Sequence, residues 1–169
     1  MTTRRLLLRT LATASLLLSS TLSWALDAPD ATVLDNDYRQ QRFGDYTVHF
    51  STFNSAFITP EVAQAYGITR ARNQTLVNIS VTHSDANHTS LGLPAKVSGT
   101  ASNLLQQQRV LDFTEINEGS ATYYLAPLKH TSEEVYNFAI TVAPNSSQHR
   151  SAQAMTVNFS RKLYLKETD

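Results

Sequence analysis

The chain predicts an all-β fold: an immunoglobulin-like antiparallel β-sandwich of about seven strands with one short helical insert. Three observations carry this. Apolar and polar side chains alternate with period two through several separate stretches. Those stretches are rich in β-branched and aromatic residues, which suit a pleated, half-buried surface. Glycine, proline and asparagine punctuate them at fairly regular spacing, the pattern of short strands joined by turns. An open barrel is the alternative closure.

From Gly44, the residues Tyr46, Val48 and Phe50 alternate with Thr47, His49 and Ser51, giving a first strand with one face buried. Val77, Ile79 and Val81 against Asn78, Ser80 and Thr82 give a second. A weaker third covers residues 94–102, and Arg109 to Ile116 forms a fourth with Leu111 and Phe113 inward. Glu118-Gly119 supplies a tight turn, because glycine accepts the positive φ of a short hairpin connection, so Ala121 to Leu128 folds back on the fourth strand. Tyr136, Phe138, Ile140 and Val142 make the sixth strand, which Pro144 stops because it has no N–H for the ladder. Met155, Val157 and Phe159 make the last, running toward Leu163 and Leu165.

One segment departs from this rhythm. In Thr59-Pro60-Glu61-Val62-Ala63-Gln64-Ala65-Tyr66-Gly67 a capping hydroxyl precedes a proline at the first helical position, an acid follows in the first turn, and a glycine terminates the run. It reads as a short helix whose N-terminus favours an anion. Residues 102–108 read as loop or strand edge.

Ahead of these elements stand two segments of different character. Arg4, Arg5 and Arg9 precede an apolar run from Leu11 to Leu22, and Ser23-Trp24-Ala25 places small residues where a signal peptidase requires them. Residues 1–25 are therefore expected to be a signal peptide cleaved after Ala25. The run is shorter than the ~20 residues of a membrane span and is interrupted by Thr13, Ser15, Ser19 and Ser20. The paired arginines also fit a twin-arginine signal, and the general secretory route is the expectation because nothing downstream requires a cofactor before export. Residues 26–42 carry Asp27, Asp30, Asp35 and Asp37 with no period and read as a polar N-terminal arm, leaving residues 43–169 as the β-sandwich domain.

Composition narrows function by exclusion. The 14 basic residues less Arg4, Arg5 and Arg9 leave 11 against 14 acidic residues after cleavage, a net charge near −3. A mildly acidic chain with no basic stripe lacks the surface that neutralises phosphates, so nucleic acid is not expected as a partner. With no cysteine, the chain cannot form disulfides, use thiolate metal ligands or carry the acylated cysteine of a lipoprotein. The expected product is periplasmic, not stably inserted in a membrane after cleavage, and without a cofactor.

Two places attract attention as sites. Between the first two strands, Asn54, Phe57, Tyr66, Arg70, Arg72 and Asn73 bring aromatic and cationic side chains to the helical insert, a candidate surface for a protein, peptide or envelope component. The structural alternative is that the aromatics of the insert close an open end of the sandwich. His83, Asp85 and His88, with Met155 or His130 as further donors, offer ligands for Zn or Cu, but no third ligand stands at motif spacing, which favours a solvated loop of polar residues between strands. His49 belongs on the outer sheet face, where a catalytic base would need a carboxylate and a nucleophile beside it. Glycine-rich phosphate loops, nucleophile elbows and paired-histidine helices are missing, so a small hydrolase is the remotest of the three readings.

The runs Phe43-Gly44-Asp45-Tyr46, Phe53-Asn54-Ser55, Pro60-Glu61-Val62-Ala63 and Ala65-Tyr66-Gly67-Ile68, followed by Asn78-Ile79-Ser80-Val81, Ala95-Lys96-Val97-Ser98-Gly99, Asn103-Leu104-Leu105 and Tyr123-Tyr124-Leu125-Ala126, resemble the DUF4426 family of exported proteobacterial proteins. The resemblance covers nearly all of the chain beyond the leader. It implies a periplasmic single domain and supplies no substrate, activity or catalytic residue. The leading expectation is a non-enzymatic binding or accessory module that works through the insert or an exposed sheet edge, since an added strand is a simple way for a sandwich to hold extended peptide.

Overall fold

A computed structural model describes residues 39–145 and 153–167, and the expected signal peptide and most of the expected arm lie outside these. Two antiparallel sheets build an all-β sandwich. One sheet has five strands in the order β1-β2-β3-β7-β6 and the other four in the order β5-β4-β8-β9. The strands are β1 (Gln40–Phe43), β2 (Tyr46–Asn54), β3 (Gln74–His83), β4 (Ala95–Asn103), β5 (Gln108–Leu111), β6 (Thr114–Asn117), β7 (Thr122–Lys129), β8 (Glu134–Pro144) and β9 (Met155–Leu163).

The inward members of each alternation meet between the sheets. Val48 and Phe50, Val77, Ile79 and Val81, Tyr124 and Ala126, Phe138 and Ile140, and Val157 and Phe159 form one buried cluster. Phe159 stacks between Phe50 and Phe138, with ring centroids 4.5 and 4.7 Å away. Stacked aromatics of this area dominate the burial that drives two sheets together.

Nine strands replace the expected seven for two physical reasons. The end of the expected arm, Gln40–Arg42, pairs with β2 in the register Gln40↔His49 to Phe43↔Tyr46, so it is held by ladder hydrogen bonds and not by any apolar period. The expected fourth strand divides at Asp112-Phe113. Leu111 pairs with Gly99 in the four-stranded sheet, whereas Thr114–Asn117 pairs with β7 in the other. Leu111 and Phe113 nevertheless both reach the core, so the alternation runs unbroken through a change of sheet. The turn after β6 is the expected one: Gly119 has φ +74° and donates its N–H to the Asn117 side chain at 3.0 Å.

Residues 102–108 form the tight connection between β4 and β5. Asn103 Oδ1 accepts from Leu105 N and Gln107 N at 3.1 and 3.0 Å, and Gln106 takes φ +61°. The insert between β2 and β3 holds a 3-10 turn, Ser55–Phe57, and the helix α1, Pro60–Ala65, capped by the Thr59 hydroxyl. Rather than closing an end of the sandwich, this insert folds over the outer face of the five-stranded sheet. Ile58, Tyr66 and Ile68 pack there on Leu76, Ile116 and Leu125, the apolar members of otherwise polar strand faces. No helix among the described residues is long and apolar enough to cross a membrane.

Candidate functional site

The insert returns to the sandwich through a knot of main-chain contacts, and most of the polar residues singled out there are spent on it. Asn54 Oδ1 accepts from Ala56 N at 2.9 Å, capping the 3-10 turn, while its amide donates to Arg72 O at 2.7 Å. The buried Ser55 hydroxyl donates to Ala71 O and accepts from Ala71 N. Arg70 donates to Ala56 O at 3.1 Å, closing the insert on itself. Arg72 donates through Nε to Lys166 O at 2.7 Å, and Lys166 N donates back to Arg72 O, so the segment after β9 is stitched to the foot of the insert. Asn73 O accepts from His130 N at 3.0 Å. Tyr66 is half-buried in the outer cluster over Leu76 and Leu125.

What remains for a partner is an open cleft of about 440 Å³ between the two sheets' edges. Its walls are the end of β2 (Thr52, Phe53, Asn54), Phe57 of the 3-10 turn, and the run Lys162 to Glu167. Phe57 and Tyr164 are 68 % and 57 % exposed, and each has an ammonium over its ring: Lys166 Nζ lies 5.8 Å from the Phe57 centroid and Lys162 Nζ 5.3 Å from that of Tyr164. β1 reaches β2 only as far as His49, with one further bond from Phe50 N to Arg39 O. Among the described residues no strand pairs with Ser51–Asn54 on that side, and the last three of these residues border the cleft. The sequence singled out Asn54 and Phe57 of this site and missed the C-terminal run, whose signal was the unburied Tyr164 and Leu165 following β9.

The anion expected at the N-terminus of α1 is already present. The helix has only six residues, and Glu61 sits in its first turn, its carboxyl lowered by its own main-chain N–H and then by the Thr59 hydroxyl.

Among the described residues no three His, Asp or Glu side chains gather so as to hold an ion. Asp85 is occupied with its own turn, Oδ1 accepting from Asn87 N and His88 N at 2.8 Å each, which lowers its carboxyl. His83 lies against Tyr46, with ring centroids 4.9 Å apart. Met155 is buried in the main core. His130 is buried, with Nδ1 2.7 Å from Thr131 O and Nε2 2.8 Å from the Thr75 hydroxyl. A carbonyl only accepts, so Nδ1 carries a proton, and the residue serves as a crosslink between the start of β3 and the β7–β8 connection.

His49 projects from the outer face of β2 as expected, its Nε2 3.1 Å from the Thr82 hydroxyl. Partial burial lowers its imidazole, which favours the neutral form. It lines a basin of about 450 Å³ with Gln40, Arg42, Thr47, Thr82, Ser84 and Thr89. The carboxylate that orients a catalytic histidine is missing from that lining.

Comparison with known proteins agrees with this architecture. A DUF4426 family protein from Pseudomonas aeruginosa PAO1 superposes with a TM-score of 0.64 at 30% sequence identity, over 76% of this chain and 95% of that one. FetP from uropathogenic Escherichia coli strain F11, expressed in the periplasm of E. coli, gives a TM-score of 0.52 at 12% identity over 76% and 94% of the two chains. A copper-bound variant of FetP gives 0.52 at 13% identity over 76% and 91%. These two likenesses show the shared fold. No curated protein matches the chain. The model of the family described as a domain of unknown function, DUF4426, matches residues 40–166, and the chain belongs to that family.

Proposed function

We propose that the chain acts in the periplasm as a non-enzymatic binding or accessory module that takes an extended segment of another protein into the cleft between the end of β2 and the run Lys162 to Glu167. The observation that carries this reading is that the end of β2, Ser51–Asn54, which among the described residues has no ladder partner on one side, lies beside two exposed aromatic rings, Phe57 and Tyr164. A bare edge offers main-chain hydrogen bonds that any extended peptide can satisfy, and flanking side-chain pockets then select among sequences. Aromatic rings backed by lysines favour apolar or acidic side chains beside that edge.

The FetP variant is copper-bound, but at 13% identity its likeness carries the fold and no metal site. The dispersed histidines of this chain give the metal reading no separate support. The periplasmic assignment rests on the leader and on family membership, and mass measurement of the N-terminus in a periplasmic extract tests it.

Binding is tested by selecting extended peptides from a displayed library on the exported protein and titrating the winners by calorimetry and amide NMR. The expected result is a set of shifts at Ser51–Asn54, and affinity about thirtyfold weaker for Phe57→Ala with Tyr164→Ala at unchanged melting temperature, since each ring removes roughly 1 kcal/mol of aromatic contact. Peptides that leave those amides unmoved, or that bind the double variant as well as the parent, refute the reading.

A further inference from the structure

Charge and exposed apolar surface are distributed unevenly between the two ends of the sandwich. The strand register places the β2–β3 insert, the β4–β5 turn, the β7–β8 connection and the segment after β9 at one end. The β1–β2, β3–β4 and β6–β7 turns lie at the other. The first end carries Arg72, Arg109, Lys129, Lys162 and Lys166. Of its acids, Glu133 is paired with Lys162 at 2.8 Å, Glu134 is turned onto Asn103 and Thr131, Glu167 is exposed, and Glu61 is exposed on the insert, which also carries the exposed Arg70. The opposite end carries Asp45, Asp85 and Glu118 on its turns, with Arg42 and Lys96 on the adjoining strands.

Among the described residues, four of the seven large apolar side chains most exposed to solvent also stand at the basic end: Phe57, Leu104, Leu105 and Tyr164. Leu104 and Leu105 are 69 % and 79 % exposed. They are held out rigidly, because Asn103 accepts from the N–H groups on either side of Gln106 and donates to Gln107 Oε1 and Glu134 Oε1. The features form one surface. The two leucines adjoin Glu133, Glu133 binds Lys162, and Lys162 covers Tyr164. Lys166 covers Phe57 and is bonded to Arg72, while Arg109 donates to Lys129 O at 3.0 Å.

We propose that this end of the sandwich docks on an anionic phospholipid bilayer, with Leu104 and Leu105 entering the headgroup boundary and the cations meeting lipid phosphates. The inference goes beyond peptide binding and rests on separate residues, the β4–β5 turn and Lys129. Charge complementarity names the occupant: a row of cations beside protruding apolar points is the pattern that adheres to anionic lipid. A bilayer surface also suits the geometry. Leu104 and Leu105 project from the β4–β5 turn, outside the lining of the cleft that holds Phe57 and Tyr164, and a fluid interface accepts separated points where a protein partner would need a matching pocket. Rigid presentation by Asn103 means that docking orders no further backbone. The contact lies on the membrane and not across it.

The test is co-sedimentation of the exported protein with vesicles of phosphatidylcholine alone and of phosphatidylcholine mixed with phosphatidylglycerol. Binding is expected to the anionic vesicles, to be reversed by salt, and to be absent from the neutral ones. Leu104→Ser with Leu105→Ser weakens it at least about tenfold, since partial burial of two leucines contributes more than 1.4 kcal/mol, and Lys129→Glu also weakens it. Lys96→Glu, at the opposite end, binds as the parent does. Melting temperatures establish that each variant is folded. Equal binding to both vesicle types, no binding to anionic vesicles, or leucine and lysine variants that bind like the parent would each overturn the proposal. Capture of an acidic peptide by these residues without vesicle binding would do the same.

Discussion

Asn54 donates its side-chain amide to the main-chain oxygen of Arg72 across 18 positions of sequence, at 2.7 Å, and the same side chain caps the 3-10 turn through Ala56 N. One residue therefore sets where the insert leaves β2 and where it returns to β3. Because Arg72 O also accepts from Lys166 N, the bond extends to the segment that walls the cleft. Asn54 is 8 % exposed, so water replaces its partners poorly.

Asn54→Ala removes a cap and leaves a carbonyl short of a partner. The expected loss is about 1 to 3 kcal/mol of unfolding free energy, read from urea titration. A variant with parental stability would mean that the insert's feet are held by Ser55 and Arg70 alone.

Tyr66 and Arg70 separate packing from recognition within the insert. Tyr66 is half-buried against the outer cluster, so Tyr66→Ala is expected to destabilise by about 1.5 to 3 kcal/mol, below the range for fully buried aromatics. Arg70 is exposed and makes one bond to Ala56 O. Arg70→Ala is expected to change stability by less than about 0.5 kcal/mol. Chemical denaturation of the pair measures both, and a neutral Tyr66→Ala would contradict the packing described for α1.

The strands that were legible in the sequence are those with one apolar and one polar face: β2, β3, β8 and β9. β1 was hidden because in Gln40–Phe43 Phe43 alone is an apolar side chain packed on the core, too little to make a period, and the rest is held by ladder partners on β2. The change of sheet after Leu111 was hidden because both sheets face the same core, and a side chain that points inward reads alike in either. The destination of the insert did leave a signal. Leu76 and Leu125 are apolar residues on the outward faces of β3 and β7, and such faces are covered by something. The cleft was half legible: Phe57 stood out as an aromatic in a polar insert, whereas Tyr164 and Leu165 became part of the site only when Arg72 bound the main chain beside them.

Glu134 makes the fold sensitive to acid. Its carboxyl is lowered to about 2, first by the Thr131 N–H, against burial, and then by the Asn103 amide and the Thr131 hydroxyl. A carboxyl whose folded pKa is depressed contributes stability above its unfolded value near 4.5, and that contribution is lost as pH falls from there toward about 2. Solvent near the group screens the effect. Urea midpoints measured from pH 5.5 to about 2.5 are expected to fall for the parent and to fall less steeply for Glu134→Gln. The variant should also begin lower at neutral pH, because glutamine has no charge and keeps one accepting oxygen where Glu134 uses two. Parallel curves would assign the acid sensitivity to other carboxyls.

Gly92 and Gly119 look alike in sequence, each ending a polar loop, yet they are glycine for different reasons. At Gly92 a β-carbon would overlap the main-chain oxygen of Thr122, at the point where Thr122 N donates to Gly92 O at 2.9 Å and the β3–β4 loop rests on the start of β7. Main chain cannot rotate aside as a side-chain tip can. At Gly119 nothing lies within 4 Å of a β-carbon, and the constraint is φ +74° alone. Gly119→Ala should therefore cost about 1 kcal/mol, the strain of a left-handed residue. Gly92→Ala should cost about 2 to 3 kcal/mol, as backbone overlap forces the loop off β7. It should also raise hydrogen exchange at Thr122 N, which Gly119→Ala leaves unchanged. If instead Gly92→Ala is the milder of the two, the loop does not bear on β7 in the way the Thr122 contact implies.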